Sequence, residues 1–548
     1  MNICKKCGAE FEIFDKDLEF YKKIDSPAPT FCPLCRLKRR MMFRNERHLY
    51  SRKCDLCNKD FLAIYDKNAG FPVYCYDCWW SHEWDARKYA AEYDPNLPFF
   101  EQLKTLFDKV PHLGIVISYC ENSEYANYTN YSKNCYLAFG CHESEDSYYG
   151  WRMHNGLACV DCTQTDRGKY CYECVDCNDG YELFFSQDCE NCTDSYFLYD
   201  CKSCQDCMFS TGLRNKKNYI FNKKYTPEEY KTEKAKFDFG SNKGLSEAKE
   251  KFKKFLLEYP RRALFIVNSE NSFGDHIINS KDVRFGFNVK DIYEGAYLES
   301  CNELKDAMDS CFCGWPAELN YEGISAGCVN SYNVKFTSTS WTCVNVEYSE
   351  SCHHSKDLFG CYGLRHKDSY CILNKQYEPA EYLALKKKII EDMKARKEYG
   401  EFFPAELSPF AYNEAVVFDY HPLTREEALN QGFSWKEPNP KDYLPQTFEV
   451  PDKINDVSDS ITKEILACEK CGKNYKIVAH ELLFYRKFNL PIPRNCFDCR
   501  HQSRMNNRSS QNLYERKCDK CGTAIKSVYA NSRPEKVYCE GCYLKEVY

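Results

Sequence analysis

The sequence predicts a multi-domain, mainly β protein: two cysteine-rich β-solenoid halves, each closed by a helix, flanked by duplicated tandem modules of treble-clef or zinc-ribbon type. Three observations carry this. Four Cys-x-x-Cys knuckles stand at each end of the chain, and the two sets are related by one constant offset of 464 residues. The cysteines between positions 120 and 207 all fall on multiples of three. The two halves of the middle also close alike, at Gly212-Leu213-Arg214 and Gly363-Leu364-Arg365.

The N-terminal knuckles are Cys4/Cys7, Cys32/Cys35, Cys54/Cys57 and Cys75/Cys78; the C-terminal ones are Cys468/Cys471, Cys496/Cys499, Cys518/Cys521 and Cys539/Cys542. Phe20-Tyr21 recurs as Phe484-Tyr485, and Arg52-Lys53-Cys54-Asp55 as Arg516-Lys517-Cys518-Asp519. A gapless copy of this kind is a duplicated module. Zinc takes four soft thiolates in a tetrahedron, and one knuckle supplies two of them from a single tight turn. Eight knuckles therefore predict four Zn2+ sites, paired in sequential order, with a cross-braced pairing left open by the spacing. Helix-compatible runs follow at Arg36 to Glu46 and Trp79 to Glu92, which suits a treble clef.

In the middle, many cysteines differ by 12, as in Cys177, Cys189 and Cys201, and one row reads Cys135, Ser147, Cys159, Cys171, Leu183, Ser195, Cys207, Tyr219. A helix repeats at 3.6 and cannot hold a beat of three, six and twelve. Short strands and tight turns can, so the expectation is a solenoid with coils of roughly twelve residues and cysteines stacked at strand spacing. Larger coils with six-residue edges are the competing geometry. Cys301, Cys313, Cys328, Cys343, Cys352 and Cys361 continue the multiples of three in a second solenoid. Buried free thiols, stapling disulfides and a further metal or iron–sulfur site near Cys171, Cys174 and Cys177 are three uses of these cysteines. Cys352-His353-His354 reads as a surface feature rather than a ligand pair. Thr226, Pro227 and Glu229 form a capping box with proline at the first helical position, so a helix follows the first solenoid, and Pro379 marks its counterpart after the second.

The expected order is a tandem finger module over 1–92, a linker and helix over 93–111, a solenoid over 112–225 and a helical segment over 226–258. A second solenoid then spans 259–377, a helical or extended segment 378–436, a linker 437–462 and the second finger module 463–548. The chain has 548 residues, 43% of them hydrophobic, and a net charge of −6. That excludes wholesale disorder and a uniformly basic coat. No apolar leader and no 18-residue apolar stretch is present, so the expectation is a cytoplasmic protein with no membrane partner. The 37 cysteines then mean thiolate–metal chemistry or buried thiols rather than secreted disulfides.

No phosphate-binding loop, nucleophile elbow or zincin pattern appears, and no catalytic residue is assigned. Charge is uneven: residues 1–60 carry 14 basic and 9 acidic side chains, 461–548 carry 17 and 9, and 112–212 carry 5 and 16. Arg36, Arg40 and Arg44 share one helical face, as do Arg500, Arg504 and Arg508; Arg52-Lys53 and Arg516-Lys517 trail them. Such a face suits phosphate contacts, with docking on the acidic solenoid in cis and plain solvation as the other two readings.

Phe99-Phe100-Glu101-Gln102, Lys109-Val110-Pro111, Asn122-Ser123-Glu124-Tyr125 and the run from Gly212-Leu213-Arg214 to Tyr230 resemble a group of cysteine-rich zinc-ribbon proteins frequent in candidate-phyla bacteria. Some of these carry a CaiB/BaiF (CoA-transferase-like) label, but the resemblance implies no catalytic residues, and no pattern here supports that chemistry. The function expected from sequence is a non-enzymatic zinc protein that contacts nucleic acid, RNA foremost, through its basic ends. A protein–protein scaffold is the alternative, and a CoA-transferase-type enzyme a distant third.

Overall fold

The computed structural model of the chain describes residues 1–437 and 443–548; of the expected linker 437–462, residues 438–442 lie outside the described residues. The chain divides into two compact units, residues 1–116 with 264–436 and residues 117–263 with 437–548. Each unit thus joins a finger module to the solenoid that is remote from it in sequence: the N-terminal module belongs with the second solenoid, the C-terminal module with the first.

The beat of three has a direct structural cause. In the first solenoid, ladder partners lie twelve residues apart, as in Glu121↔Lys133, Tyr148↔Val160 and Lys202↔Arg214. This confirms the 12-residue coil and rules out the larger one. Every third residue has a left-handed φ, for example Asp146 (49°), Tyr149 (57°), Arg152 (55°) and Asn155 (54°). Each such residue turns a corner, so a coil is a square with four three-residue sides. In every triplet one residue points into the lumen, the next pairs with neighbouring coils, and the third turns. The multiples of three are the lumen positions: Cys159, Cys162, Cys171, Cys174 and Cys177 are fully buried. The turn residue carries the strain, roughly 1–2 kcal/mol for a side chain in the left-handed region. Asn and Asp tolerate it best, and their amides form ladders: Asn122 Nδ2 donates to Asn134 Oδ1 at 3.1 Å, and Asn134 Nδ2 to Asp146 Oδ1 at 2.8 Å.

The lumen is narrow. A Cβ added to Gly168 would lie 2.7 Å from Thr165 Cγ2 and 3.2 Å from Cys159 Sγ, so glycine is required there by space. Backbone needs decide the rest, because the N–H of each inward residue is outside the ladder and buried amides demand a partner. Hydroxyls one coil back supply it: Cys159 N donates to Ser147 Oγ at 3.3 Å and Cys207 N to Ser195 Oγ at 3.0 Å. Small residues with a polar γ atom therefore recur at these positions.

The second solenoid has longer strands in one 11-stranded sheet. Most coils keep the twelve-residue step, but Leu304 pairs with Ala317, Ala317 with Ser331 and Lys356 with Ser369, so single residues or pairs are inserted. Both solenoids end on a reversed hairpin whose two turn residues have positive φ, Phe221 with Asn222 and Leu373 with Asn374, the geometry of a type I′ turn. The reversal terminates the parallel edge. The helices Pro227–Lys234 and Pro379–Ala395 follow, the first with the expected capping box at Thr226 and Glu229. Each is anchored by a buried tyrosine, Tyr230 and Tyr382.

The expected run from Trp79 to Glu92 is not one helix. The helix is Tyr76–Trp80, followed by a 3-10 turn at Ala86–Tyr89. Ser81 Oγ donates to Cys78 O at 2.8 Å and ends the first turn, a standard use of a serine side chain in competition with helix. Its C-terminal copy lacks that serine and runs on as Glu540–Val547.

Candidate metal centres and the arginine interfaces

The cysteines gather into four sets of four: Cys4, Cys7, Cys32, Cys35; Cys54, Cys57, Cys75, Cys78; Cys468, Cys471, Cys496, Cys499; and Cys518, Cys521, Cys539, Cys542. This is the sequential pairing. Each first knuckle closes by a backbone bond over a left-handed residue: Gly8 N to Cys4 O at 2.9 Å, Asn58 N to Cys54 O at 2.9 Å, Gly472 N to Cys468 O at 2.8 Å and Gly522 N to Cys518 O at 2.9 Å. Each second pair begins a helix, with Cys32, Cys75, Cys496 and Cys539 as the N-cap residues.

Sulfur separations of 3.8 Å for Cys7–Cys32, 3.9 Å for Cys57–Cys75, 3.7 Å for Cys471–Cys496 and 3.8 Å for Cys521–Cys539 match the edge of a tetrahedron with metal–sulfur bonds of about 2.3 Å. Backbone amides already point at the sulfurs that would carry charge: Cys32 N to Cys4 Sγ at 3.2 Å, Cys75 N to Cys54 Sγ at 3.3 Å and Cys539 N to Cys518 Sγ at 3.2 Å. Hydrogen bonding with Thr523 holds the exposed Cys521 thiol down to about 6. These four sets fit four metal ions.

The solenoid thiols behave differently. All are free, with no disulfide, and among the described residues no three of them converge to share a metal. They donate instead to lumen carbonyls, as Cys177 Sγ does to Val175 O and Ser186 O at 3.4 Å each. Burial pushes Cys135 and Cys343 up to about 12, so they keep their protons. Cys371, not among the residues singled out from sequence, is a lumen residue of the same kind, whereas Cys311 lies on the coil's outer side. The surface reading of His353 is corrected: it is buried against Trp79, Trp80 and Trp341. Burial lowers its pKa to about 3.

The arginine faces are also corrected. Arg36 Nε donates to Asp309 Oδ1 at 2.9 Å, and Arg40 Nη1 donates to Glu322 Oε2 at 2.7 Å and to Asp309 Oδ1 at 3.2 Å. Arg36 is 1% exposed and Arg40 0%, so neither is presented to a phosphate. Arg44 donates to Ser325 Oγ and to Glu46 at 2.6 Å. In the other unit Arg500 and Arg504 both donate to Asp161, the latter at 2.6 Å, and Arg504 also reaches Thr163 Oγ1 at 3.2 Å. Arg508 is half-buried, 5.0 Å from the Trp151 ring. Arg52 and Arg516 bind Asp55 at 2.7 Å and Asp519 at 3.0 Å within their own hairpins, which leaves Lys53 and Lys517 as the exposed members of the expected set.

The two interfaces match residue for residue. Tyr297 OH donates to Asp17 at 2.9 Å and its ring lies 5.1 Å from the Arg36 guanidinium; Tyr149 OH donates to Glu481 at 2.8 Å and its ring lies 4.4 Å from that of Arg500. Glu481 is the copy of Asp17, and Tyr297 and Asp309 each stand 148 positions after Tyr149 and Asp161. The solenoids are thus a second duplication, which the inserted residues conceal in the sequence. Burial raises the Glu481 carboxyl above its usual range, against the pull of Arg500.

No family model, curated protein or solved structure matches the chain. Among the described residues, no helix is long and apolar enough to cross a membrane.

Proposed function

We propose that this chain is a non-enzymatic protein–protein scaffold held in shape by four structural zinc ions in treble-clef-like fingers. The observation that carries the reading is the closed donor set: each site offers four thiolates, leaving no coordination position for water or substrate, the hallmark of structural rather than catalytic zinc. The metal would fix the short helices that bear Arg36, Arg40, Arg500 and Arg504, and these bind solenoid carboxylates of the same unit. That use of the arginines removes the groups on which nucleic-acid contact was expected. The free thiols suit a reducing compartment.

The test is a pair of measurements on protein purified under reduction. Elemental analysis is expected to find four zinc ions per chain, and strong chelation to unfold the modules, since structural zinc contributes on the order of 10–16 kcal/mol apparent per site. Titration with mixed RNA and DNA at low salt is expected to show no binding. Salt-sensitive binding there, with a log–log slope of about 0.7–0.9 per phosphate contact, would overturn the scaffold reading.

A further inference from the structure

The two units differ most where the end of the arginine-bearing helix meets the solenoid. In the first unit the chain's own residues fill that place. Phe402 and Phe403 pack on Phe43 at 5.3 and 5.5 Å, and Phe410 stacks on Tyr65 at 5.3 Å. Ser408 Oγ donates to Met42 O and Val416 N to Arg44 O, both at 2.7 Å. The inserted stretch, 401–420, carries Glu401, Glu406, Glu414 and Asp419 and no lysine or arginine.

In the second unit the equivalent place is an open cleft of about 470 Å3, a size suited to ligand burial. Its module side has changed character. Asn506, Asn507, Arg533 and Glu535 line it where the first module has Met42, Phe43, Ala69 and Phe71. Arg261 takes the place of His112, as the matched strand pairs Val537↔Arg261 and Val73↔His112 show. Aromatic footing remains on the solenoid at Phe197 and Tyr199.

The charges there do not balance. Lys249 is paired with Glu173 at 2.6 Å and Arg533 with Glu535. Arg261 is 7% exposed, lies 3.9 Å over the Tyr199 ring, and its Nη1 has no hydrogen-bond partner. Lys253 stands exposed on the rim. A buried guanidinium donor without an acceptor is costly, and an incoming carboxylate would satisfy it.

We propose that this cleft binds an acidic, aromatic-bearing peptide segment of a partner protein, seated as residues 401–414 are seated in the first unit. The proposal rests on the scaffold reading and gives its partner a chemistry. The probe is a fluorescein-labelled peptide copying residues 401–414, with a second peptide in which its three glutamates are glutamines, titrated against the full-length protein by anisotropy. The acidic peptide is expected to bind about tenfold or more tightly than the glutamine peptide, a difference of about 1.4 kcal/mol, and to weaken with salt.

Arg261→Gln and, separately, Lys253→Glu on the exposed helix face are expected to reduce binding by about the same factor; the second keeps the fold intact should the first disturb it. Equal binding of the two peptides, or unchanged binding by the Lys253→Glu protein, overturns the proposal. Occupation of the cleft by inorganic phosphate with no peptide bound also overturns it, in favour of a small-anion site. Nucleic-acid binding by the wild type is a separate outcome that sinks the scaffold reading without touching the peptide result.

Discussion

The two units solve one docking problem with different redundancy. In the first, Arg36 and Arg40 share Asp309, and Glu322 takes a second bond from Arg40 at 2.7 Å and one from Arg39 at 3.2 Å. In the second, Arg500 and Arg504 converge on Asp161, and the next carboxylate, Glu481, is 3.6 Å from Arg500. Glu173, which occupies the place of Glu322, is bound by Lys249 instead. Buried ion pairs barely stabilise relative to apolar packing, but losing one partner leaves an uncompensated charge. The comparison teaches that the C-terminal interface depends on a single carboxylate and the N-terminal one does not.

The largest test of that difference is a pair of substitutions. Asp161→Asn is expected to cost about 3–5 kcal/mol in urea unfolding of the second unit, and Asp309→Asn distinctly less in the first because Glu322 remains. Equal losses would break the comparison.

A smaller effect sharpens it through pH. Glu350 is buried in the first unit, and burial alone raises its pKa from 4.5 to about 8; Tyr199 holds the corresponding position in the second unit, 151 residues earlier. Because the folded pKa lies above the unfolded one, the folded state binds the extra proton between the two values. Stability therefore falls as pH rises from about 4.5 to about 8, by up to about 1.4 kcal/mol per pH unit. Glu350→Gln is expected to flatten this slope, and denaturation midpoints at pH 5 and pH 8 measure it. An unchanged slope would assign the pH dependence elsewhere.

The smallest concerns the lumen. Cys171→Ser places a hydroxyl where Ser147 and Ser195 already stand in the same column, so a loss of about 1 kcal/mol is expected, with a similar loss for Cys343→Ser in the other solenoid. A large loss at Cys171 alone would show that the first, tighter lumen uses sulfur for more than filling space.

Much of this was legible in the residues themselves. The knuckles, their offset and the beat of three each have one physical solution, so four thiolate sites and a 12-residue coil follow directly. The arginine faces do not. A spacing of four places Arg36 and Arg40 on one side of a helix, and a phosphate and a carboxylate satisfy that side equally well. Asp161 and Asp309 stand among many acidic residues, and their shared ladder position shows only once the coils are registered. The offset of 148 between the solenoids is blurred by the inserted residues at Ala317 and Ser331. Nothing local marks which solenoid a module adopts, because that choice is made by surfaces hundreds of residues away.

That crossed assembly bears on the order of events during synthesis. Arg36 and its acceptor Asp309 are 273 residues apart, and at about 5–20 residues per second the ribosome needs roughly 15–55 s to bridge them. Throughout that interval the N-terminal module has its metal ligands but not its resting place. The acidic solenoid carrying Asp161 emerges first and offers an equivalent carboxylate from the wrong unit. Correct assembly then depends on what the later solenoid alone adds, Glu322 and the Phe402–Phe410 stretch that closes over Phe43 and Tyr65. A chain truncated before residue 401 is accordingly the form in which the first module is most exposed to mispairing and aggregation.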